Sequence, residues 1–146
     1  MANLDAAAIE SELGTFFVAD ARGTIAVYLF GSVARREARP DSDVDVGLLF
    51  DVPPPGTLDA PQFGIEAELE RLLGRRVQVV ALNRAAADLV HRVLRDGRLV
   101  LDRDRSARIR FEVRARNEYF DMAPIRRLYR RHPALAPVPR VAEPRR

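Results

Sequence analysis

The 146-residue chain contains no cysteine, which excludes disulfide bonds and zinc sites built on thiolates. It has no apolar segment long enough for a transmembrane helix, and its N-terminus lacks the basic and then apolar pattern of a signal peptide. We therefore expect a cytoplasmic protein without membrane contacts. The length suits one domain, and the apolar fraction of 47% is ordinary for a protein with a packed core.

Lysine is also absent, so all 24 basic side chains are arginine. From Asp102 onward thirteen arginines accompany six acidic residues, whereas eleven arginines accompany fifteen acidic residues before it. A basic C-terminal region is compatible with an acidic protein partner, with nucleic acid, or with a solvent-exposed helix face that forms its own ion pairs, and the last is the most frequent origin. Nucleic-acid binding ranks low because no aromatic-rich RNA-binding motif accompanies the arginines.

Hydrophobic periodicity and turn-forming residues divide the chain into alternating helices and strands. Strands are predicted over residues 24–30, 43–50 and 77–82, with a short extended segment over 98–101. Helices are predicted over residues 3–18, 32–37, 62–73, 84–95 and 106–119, with Asn83 and Ser106 as the N-caps of the last two. Residues 51–61 form a loop with four prolines, and Pro124 kinks, ends or restarts the last helix. This alternation predicts an α/β (α+β) fold, with a small mixed sheet flanked by helices.

The most informative segment joins a Gly-Ser turn after the first strand to an Asp-x-Asp pair at the second. Gly31 permits a sharp turn, and Ser32 is predicted to cap the next helix with its hydroxyl and free backbone N–H groups facing an anion. Asp43 and Asp45 lie two residues apart on a predicted strand, so their carboxylates point to one face. Such carboxylates repel each other unless a cation lies between them, and a hard divalent ion fits that position. The combination indicates nucleotidyl transfer.

Residues 24–131 resemble the minimal (MNT-type) branch of the polymerase-β nucleotidyltransferase superfamily. Its members carry Gly-Ser, a spacer and Asp-x-Asp, and ten residues separate Ser32 from Asp43 in this chain. The segments LVHRVLRDGRLVLDRD and RFEVRARNEYFDMAPIRRLYRR are also similar to this branch. The resemblance implies a polymerase-β-like fold with a nucleotidyltransferase core over residues 1–102, a C-terminal helical extension over 103–130 and a flexible tail over 131–146.

The resemblance also assigns roles to the motif residues. Gly31 and Ser32 correspond to the residues that hold the β- and γ-phosphates of ATP. Asp43 and Asp45 correspond to the ligands of Mg²⁺, which stabilises the charge that develops as pyrophosphate leaves. Arg35, like the adjacent Arg36, is a candidate for neutralising phosphate, although surface arginines without such a role are at least as common.

One position departs from the family pattern. The third carboxylate of the family usually lies on a later strand, in a sequence such as Val-Asp-x-Val-Asp-Leu, but Gln78 occupies that position here and Ala81 the second acidic one. An amide can offer an oxygen to a metal ion but cannot accept a proton from an attacking hydroxyl. Transfer is therefore expected to be slow or absent if that carboxylate is the base. Asp41 could substitute for it, but a loop aspartate after Pro40 is the simpler interpretation.

The resemblance implies an antitoxin that transfers AMP from ATP to a tyrosine of a HEPN-domain ribonuclease toxin and so neutralises it. Gln78 supports an alternative of another class, a pseudoenzyme that neutralises its partner by binding alone. Nucleotidyl transfer to a small molecule such as an aminoglycoside ranks lower, because those enzymes usually add a substrate domain. Whether the chain assembles with itself or only with a partner stays open.

Two further features are assigned to packing rather than chemistry. His91 lies among apolar residues in the middle of a predicted helix, where a partly packed histidine is far more common than a ligand. An apolar stripe follows near the C-terminus, and the sequence does not decide whether it belongs to the core or contacts another subunit. Its members are Tyr119, Phe120, Met122, Ile125 and Leu128.

Overall fold

The structure, a computed structural model, describes residues 5–135. Ten regular elements follow one another along them: α1 (Ala6–Ala19), β1 (Thr24–Phe30), α2 (Gly31–Ala34), β2 (Val44–Phe50), α3 (Pro61–Leu73), β3 (Val77–Ala81), α4 (Ala87–Asp96), β4 (Arg98–Asp102), α5 (Arg105–Asp121) and α6 (Ala123–Arg131). Single 3₁₀ turns occupy Leu82–Arg84 and Pro133–Leu135. None of the helices in this part of the chain is both long and apolar enough to cross a membrane.

The four strands form one mixed sheet in the order β3-β2-β1-β4. β1 is antiparallel to both β2 and β4, whereas β2 and β3 are parallel. The parallel pair is possible because α3 makes the crossover between β2 and β3. The predicted α/β fold with a small mixed sheet and flanking helices is therefore confirmed, and the extended segment near residue 100 is its fourth strand.

Both faces of the sheet are buried, as the almost wholly apolar sequence of β1 predicts. One face packs against α1 and α3, through alternate residues of β1 such as Val27 and Leu29. The other face packs against α4 and α5, through the intervening residues Ala26 and Tyr28. The described chain therefore forms three layers with the sheet in the middle, and the C-terminal end of β1 meets the N-terminal end of β2 at one end of the sheet.

Several predicted helix starts are wrong by a few residues, and in α1 and α5 an aspartate side chain accepts from one of the first N–H groups and marks the start. Asp5 caps α1, where its Oδ1 accepts a 2.8 Å hydrogen bond from Ala8 N. Asp104 rather than Ser106 caps α5, with a 3.0 Å bond from Ala107 N. Pro61, predicted to lie in the loop, instead begins α3 at a position where its missing N–H costs nothing.

Asn83 is not the N-cap that the sequence suggests. Its side-chain oxygen accepts from Phe50 N at 2.8 Å and its side-chain nitrogen donates to Phe50 O at 3.0 Å. This pair of bonds continues the ladder between β2 and β3 past Ala81 to the last residue of β2, and it holds Asn83 in the 3₁₀ turn that precedes α4. α4 consequently starts at Ala87, three residues later than predicted.

The C-terminal helices differ from the rest, since neither α5 nor α6 contains a buried residue. Tyr28 of β1 connects α5 to the sheet, because its hydroxyl donates a 2.6 Å hydrogen bond to Glu112 Oε1. Glu112 also pairs with Arg108 at 3.0 Å and with Arg116 at 3.8 Å. Pro124 restarts the helix as α6. Of the predicted flexible tail, residues 136–146 lie outside the described residues.

Candidate active site

Gly31 lies where β1 ends and α2 begins, and its φ of +75° is one that side chains of L-residues disfavour. A Cβ atom at this position would lie 2.1 Å from Asp45 Oδ2 and 3.3 Å from Asp45 Cβ. Both the backbone conformation and the neighbouring carboxylate therefore require glycine. The Gly-Ser turn and the second aspartate of the motif, fourteen positions apart in the sequence, are consequently in direct contact.

Strand register explains this contact and also positions Gln78. Asp45 is the β-sheet partner of Phe30 on antiparallel β1 and of Gln78 on parallel β3. Gln78, which the resemblance aligns with the third carboxylate of the family, therefore lies directly beside Asp45, on an edge strand of the sheet.

Asp45 is half-buried, and burial raises the pKa of its carboxyl above the ordinary value. The negative charge of Asp43 raises this pKa further, while the guanidinium of Arg35 lowers it. The ionised form of Asp45 is thus disfavoured in the absence of a bound cation. This is the electrostatic environment that a divalent metal ion would relieve.

A cavity of about 560 Å³ opens beside Asp45 and is large enough for a nucleotide. Gly31, Ser32 and Arg35 line one wall, and Gln78 lines the wall formed by β3. Ser32 is not an N-cap, since α2 begins at Gly31, Phe30 occupies the cap position and no side chain caps the helix. This places Ser32 inside the first turn, and its hydroxyl makes no hydrogen bond to another residue within the described chain.

Asp43 precedes β2, which begins one residue later than predicted, and it is exposed. It lines a smaller depression of about 230 Å³, on the other side of Gln78 from the main cavity. The adjoining loop is fixed by hydrogen bonds, with Ser42 Oγ accepting from Arg39 N at 2.8 Å and Arg75 Nη2 donating to Ser42 O at 2.5 Å. Asp43 is therefore held in place by its loop rather than by packing.

Two glutamates of α3 share that depression with Asp43 but already have structural partners. Glu66 accepts from Val79 N at 3.0 Å and Glu70 accepts from Val77 N at 3.3 Å. These bonds satisfy N–H groups on the open side of edge strand β3, which would otherwise be free to pair with another chain. Asp41 lies in an exposed turn and lines neither the main cavity nor the depression, so it does not replace the missing carboxylate.

The side chains fit a divalent cation only in part. Asp43 and Asp45 supply carboxylate oxygens, and Gln78 can supply an amide oxygen, all of them donors that hard cations prefer. Across residues 5–135, no three histidine, cysteine or acidic residues form a cluster able to hold a metal ion by themselves. This donor set suits a metal such as Mg²⁺, which is commonly bound by one or two carboxylates together with water and substrate phosphates.

The sequence did not reveal two arginines of the cavity. Arg92 and Arg95 project from α4 into the same cavity as Ser32 and Asp45. Leu89 also lines the cavity, and the helical spacing of Arg92 and Arg95 from Leu89 predicts that the three residues share one face of α4. That spacing does not predict which face of α4 points toward the cavity. Arg36 proves to be separate from its neighbour Arg35, because it lines a different cavity against α1.

The chain resembles known proteins in both sequence and structure. It matches the family model described as "Polymerase beta, Nucleotidyltransferase" over residues 17–106. A structure of a candidate minimal nucleotidyltransferase is 31% identical, with 67% of this chain and 98% of that chain covered and a TM-score of 0.52. No sequence among curated proteins matches the chain.

Two further solved structures match along more of the chain at lower identity. One is a toxin–antitoxin complex with AMP-PNP, 19% identical, with 87% of this chain and 98% of that chain covered and a TM-score of 0.73. Another is a tri-AMPylated Shewanella oneidensis HEPN toxin in complex with MNT antitoxin, 18% identical, with coverage of 90% and 99% and a TM-score of 0.69. At these identities the matches show a shared fold, and their greater coverage extends it into the C-terminal helices.

Proposed function

Because the chain belongs to the polymerase-β nucleotidyltransferase family, we propose that it binds ATP with Mg²⁺ and transfers AMP to a HEPN ribonuclease toxin. It thereby acts as the MNT-type antitoxin of that toxin. The similar structures support this proposal, since one is a toxin–antitoxin complex with an ATP analogue and another contains an AMPylated HEPN toxin bound to its MNT antitoxin.

The observation that carries the proposal is the contact between Gly31 and Asp45 at the mouth of the cavity. It joins a turn suited to phosphate to a carboxylate whose pKa is raised by burial and by Asp43. Phosphate and cation sites are needed at the same place only when the ligand is a metal-bound polyphosphate. A fold feature without a ligand would have no reason to keep two repelling carboxylates close together at the start of central strand β2.

In the proposed reaction, Ser32 and the backbone of its turn orient the β- and γ-phosphates, and Arg35 offsets negative charge. Bound Mg²⁺ would be held by Asp43 and Asp45 and would neutralise the charge that develops on the departing pyrophosphate. A toxin tyrosine oxygen attacks the α-phosphorus, the bond from the α-phosphorus to the bridging oxygen breaks, and the tyrosine proton is released. Gln78 cannot accept that proton, so we expect transfer to be slow.

Gln78 also favours a second candidate function, in which the protein neutralises its partner by binding without turnover. The two functions predict different effects on toxin inhibition when the candidate active site is disabled by substitution. If AMP transfer neutralises the toxin, removal of the Asp45 carboxylate releases the ribonuclease activity of the toxin. If binding alone neutralises it, the same substitution leaves the toxin inhibited.

The test is incubation of the protein with its cognate toxin, Mg²⁺ and labelled ATP, followed by measurement of label on the toxin and of its ribonuclease activity. We expect label with the wild-type protein and none with Asp43→Ala or Asp45→Ala. Absence of label with the wild type, together with full inhibition by all three proteins, would reject transfer in favour of binding alone.

Gln78→Asp sharpens this test because it restores a carboxylate beside Asp45 without a large change in volume. If the missing base limits the rate, this variant should transfer AMP about tenfold or more faster than the wild type, the scale on which a positioned general base acts. Gln78→Asn, shorter by the same amount but still an amide, is the matched control. An equal rate in the two variants would mean that the carboxylate is not what the wild-type site lacks.

A further inference from the structure

A second cavity adjoins the catalytic one on the other side of α4. Its volume is about 490 Å³, and residues of α4, α5 and α6 line it. Arg92 and Arg95 line both cavities, so the two spaces share a wall of guanidinium groups. The fold thus places an open space directly beside the position proposed for the nucleotide.

The second cavity is strongly basic. Arg126 and Arg130 of α6 face it together with Arg92 and Arg95 of α4, whereas Asp88 is its one acidic lining residue. Asp88 lies 3.8 Å from Arg126, and Arg95 pairs with Asp96 at 2.8 Å. Within residues 5–135, neither Arg92 nor Arg130 has an ion pair, so two guanidinium groups remain for an anion.

The shape of this cavity is fixed by a stack of three side chains. The His91 and Tyr119 rings lie 3.6 Å apart with an angle of 3° between them, and the Arg126 guanidinium lies 3.6 Å from the Tyr119 centroid on the ring face. Arg126 also donates a hydrogen bond to the Tyr119 carbonyl oxygen. The stack ties α4, α5 and α6 together, so the surrounding arginines are held near one another before any ligand arrives.

Several guanidinium groups around one space favour a phosphate over a carboxylate, because each planar fork can donate two hydrogen bonds to adjacent oxygens of a tetrahedral anion. The donor triphosphate is not the ligand, since Gly31, Ser32 and Asp45 line only the first cavity. A phosphate in the second cavity would therefore belong to the acceptor side of the reaction.

We propose that this basic cavity binds the phosphate of an AMP group already attached to the partner protein and so supports the addition of further AMP groups. The inference rests on the proposed transfer function. One similar structure contains a tri-AMPylated toxin in complex with an antitoxin of this fold, so a toxin of this kind can carry several AMP groups. In each addition a hydroxyl oxygen of the acceptor attacks the α-phosphorus of a new ATP, pyrophosphate leaves and the hydroxyl proton passes to solvent.

The first test uses the isolated protein and needs no transfer. AMP is titrated into it, with AMP-PNP and Mg²⁺ present to occupy the catalytic cavity, and binding is followed by calorimetry and by NMR shifts of α4 and α6. Arg130→Glu should weaken AMP binding at least about tenfold through loss of a charge-assisted contact and gain of repulsion. Arg127→Glu is the matched control, because Arg127 is exposed on the same helix and does not line the cavity.

Equal AMP binding by Arg130→Glu and Arg127→Glu, or no binding by the wild type, would overturn the proposal. A single-stranded oligoribonucleotide that binds about a hundredfold more tightly than AMP and depends on Arg130 would also overturn it, because the cavity would then serve RNA. Failure of these titrations says nothing against the first transfer, which is measured separately.

The second test is the mass distribution of toxin after incubation with ATP and Mg²⁺. The ratio of toxin with two or more AMP groups to toxin with one should fall about tenfold with Arg130→Glu and stay at the wild-type value with Arg127→Glu. An unchanged ratio with Arg130→Glu would reject the acceptor role. Toxin without any AMP would reject the proposed function itself and leave the AMP titration as the test of the cavity.

Discussion

The body of the protein, residues 5–102, and its C-terminal helices α5 and α6 are held by different forces. Every buried side chain of the described chain belongs to the body, where the apolar residues of the sheet pack against α1, α3 and α4. The C-terminal helices contain none. They attach through partly buried Phe111 and Ala115 of α5, through the Tyr28–Glu112 hydrogen bond and through the stack of His91, Tyr119 and Arg126. Asp45 thus stands on the packed sheet, while the second cavity is lined in part by helices that have no fully buried residue.

The largest expected difference in stability is between two phenylalanine-to-alanine substitutions, one in the body and one in α5. Phe17 has 0% exposure in α1, whereas Phe120 is 61% exposed on α5. Phe17→Ala should lower the free energy of unfolding by about 3–5 kcal/mol, and Phe120→Ala by less than about 0.5 kcal/mol. Chemical denaturation with circular dichroism measures both. Similar losses in the two variants would mean that the C-terminal helices are part of the cooperative core.

Substitution of two glycines by alanine distinguishes the cost of backbone strain from the cost of a steric contact in the candidate active site. Gly31 and Gly23 both have positive φ, at +75° and +84°, but a Cβ at Gly23 would meet nothing within 4 Å. Gly23→Ala should cost about 1–2 kcal/mol from the left-handed backbone alone. Gly31→Ala should cost about 2–4 kcal/mol because the Asp45 carboxylate must also move. Thermal unfolding measures the difference, and equal costs would disprove the contact between the turn and the carboxylate.

Removal of the hydrogen bond between Tyr28 of the body and Glu112 of α5 is expected to lower the free energy of unfolding by a smaller amount. Tyr28 is 3% exposed and donates to the charged Glu112, so Tyr28→Phe should destabilise the protein by about 1–2 kcal/mol. Amide exchange should accelerate in α5 more than in α1, because the helix loses an anchor. Tyr129→Phe is the control, since the Tyr129 hydroxyl has no hydrogen-bond partner among the described residues. If α5 exchanges no faster in Tyr28→Phe than in this control, other contacts anchor the helix.

The smallest expected effect concerns the charge of Asp45. Its pKa is raised in the folded protein, so stability that is present at acidic pH declines as pH rises through that raised pKa. Asp45→Asn removes this loss and should melt slightly above the wild type at about pH 7 in EDTA, with the difference vanishing near about pH 4. Added Mg²⁺ should raise the melting temperature of the wild type more than that of the variant. A wild type that melts above Asp45→Asn at neutral pH in EDTA would contradict the electrostatic account.

Much of the body could be predicted from the sequence because apolar periodicity and burial coincide there. The bounds of β1 are those predicted, and Ile9, Leu13 and Phe17 recur at helical spacing on the buried face of α1. The register that brings Gln78 beside Asp45 was not predicted, because it depends on how β2 and β3 pair. The hydrogen-bond partners of polar side chains could not be predicted in the same way. Asn83 bonds to the backbone of Phe50 rather than capping a helix, and no sequence rule reveals that distant partner.

Most of the residues whose surroundings could not be predicted from the sequence lie on helix faces outside the buried core. The sequence left open whether the apolar stripe that includes Phe120 and Leu128 belongs to the core or contacts another subunit, and in the structure both side chains are exposed. The arginines of α4 could not be assigned to the site, because their positions depend on how that helix docks on the sheet. His91 was correctly expected to be a partly packed residue, but its stacking partner Tyr119 lies on a different helix and left no signal in the local sequence.

Calorimetric titration of ATP with and without Mg²⁺ shows whether the Gly-Ser turn and the Asp-x-Asp pair form a metal-dependent ATP site, as we propose. The wild type should bind ATP in the micromolar range only when Mg²⁺ is present, and Asp45→Asn should bind at least about tenfold more weakly. Asp41→Asn, the same change in an exposed turn that lines neither cavity, should bind like the wild type. Absence of ATP binding by the wild type, or equal affinity of the two variants, would contradict the account.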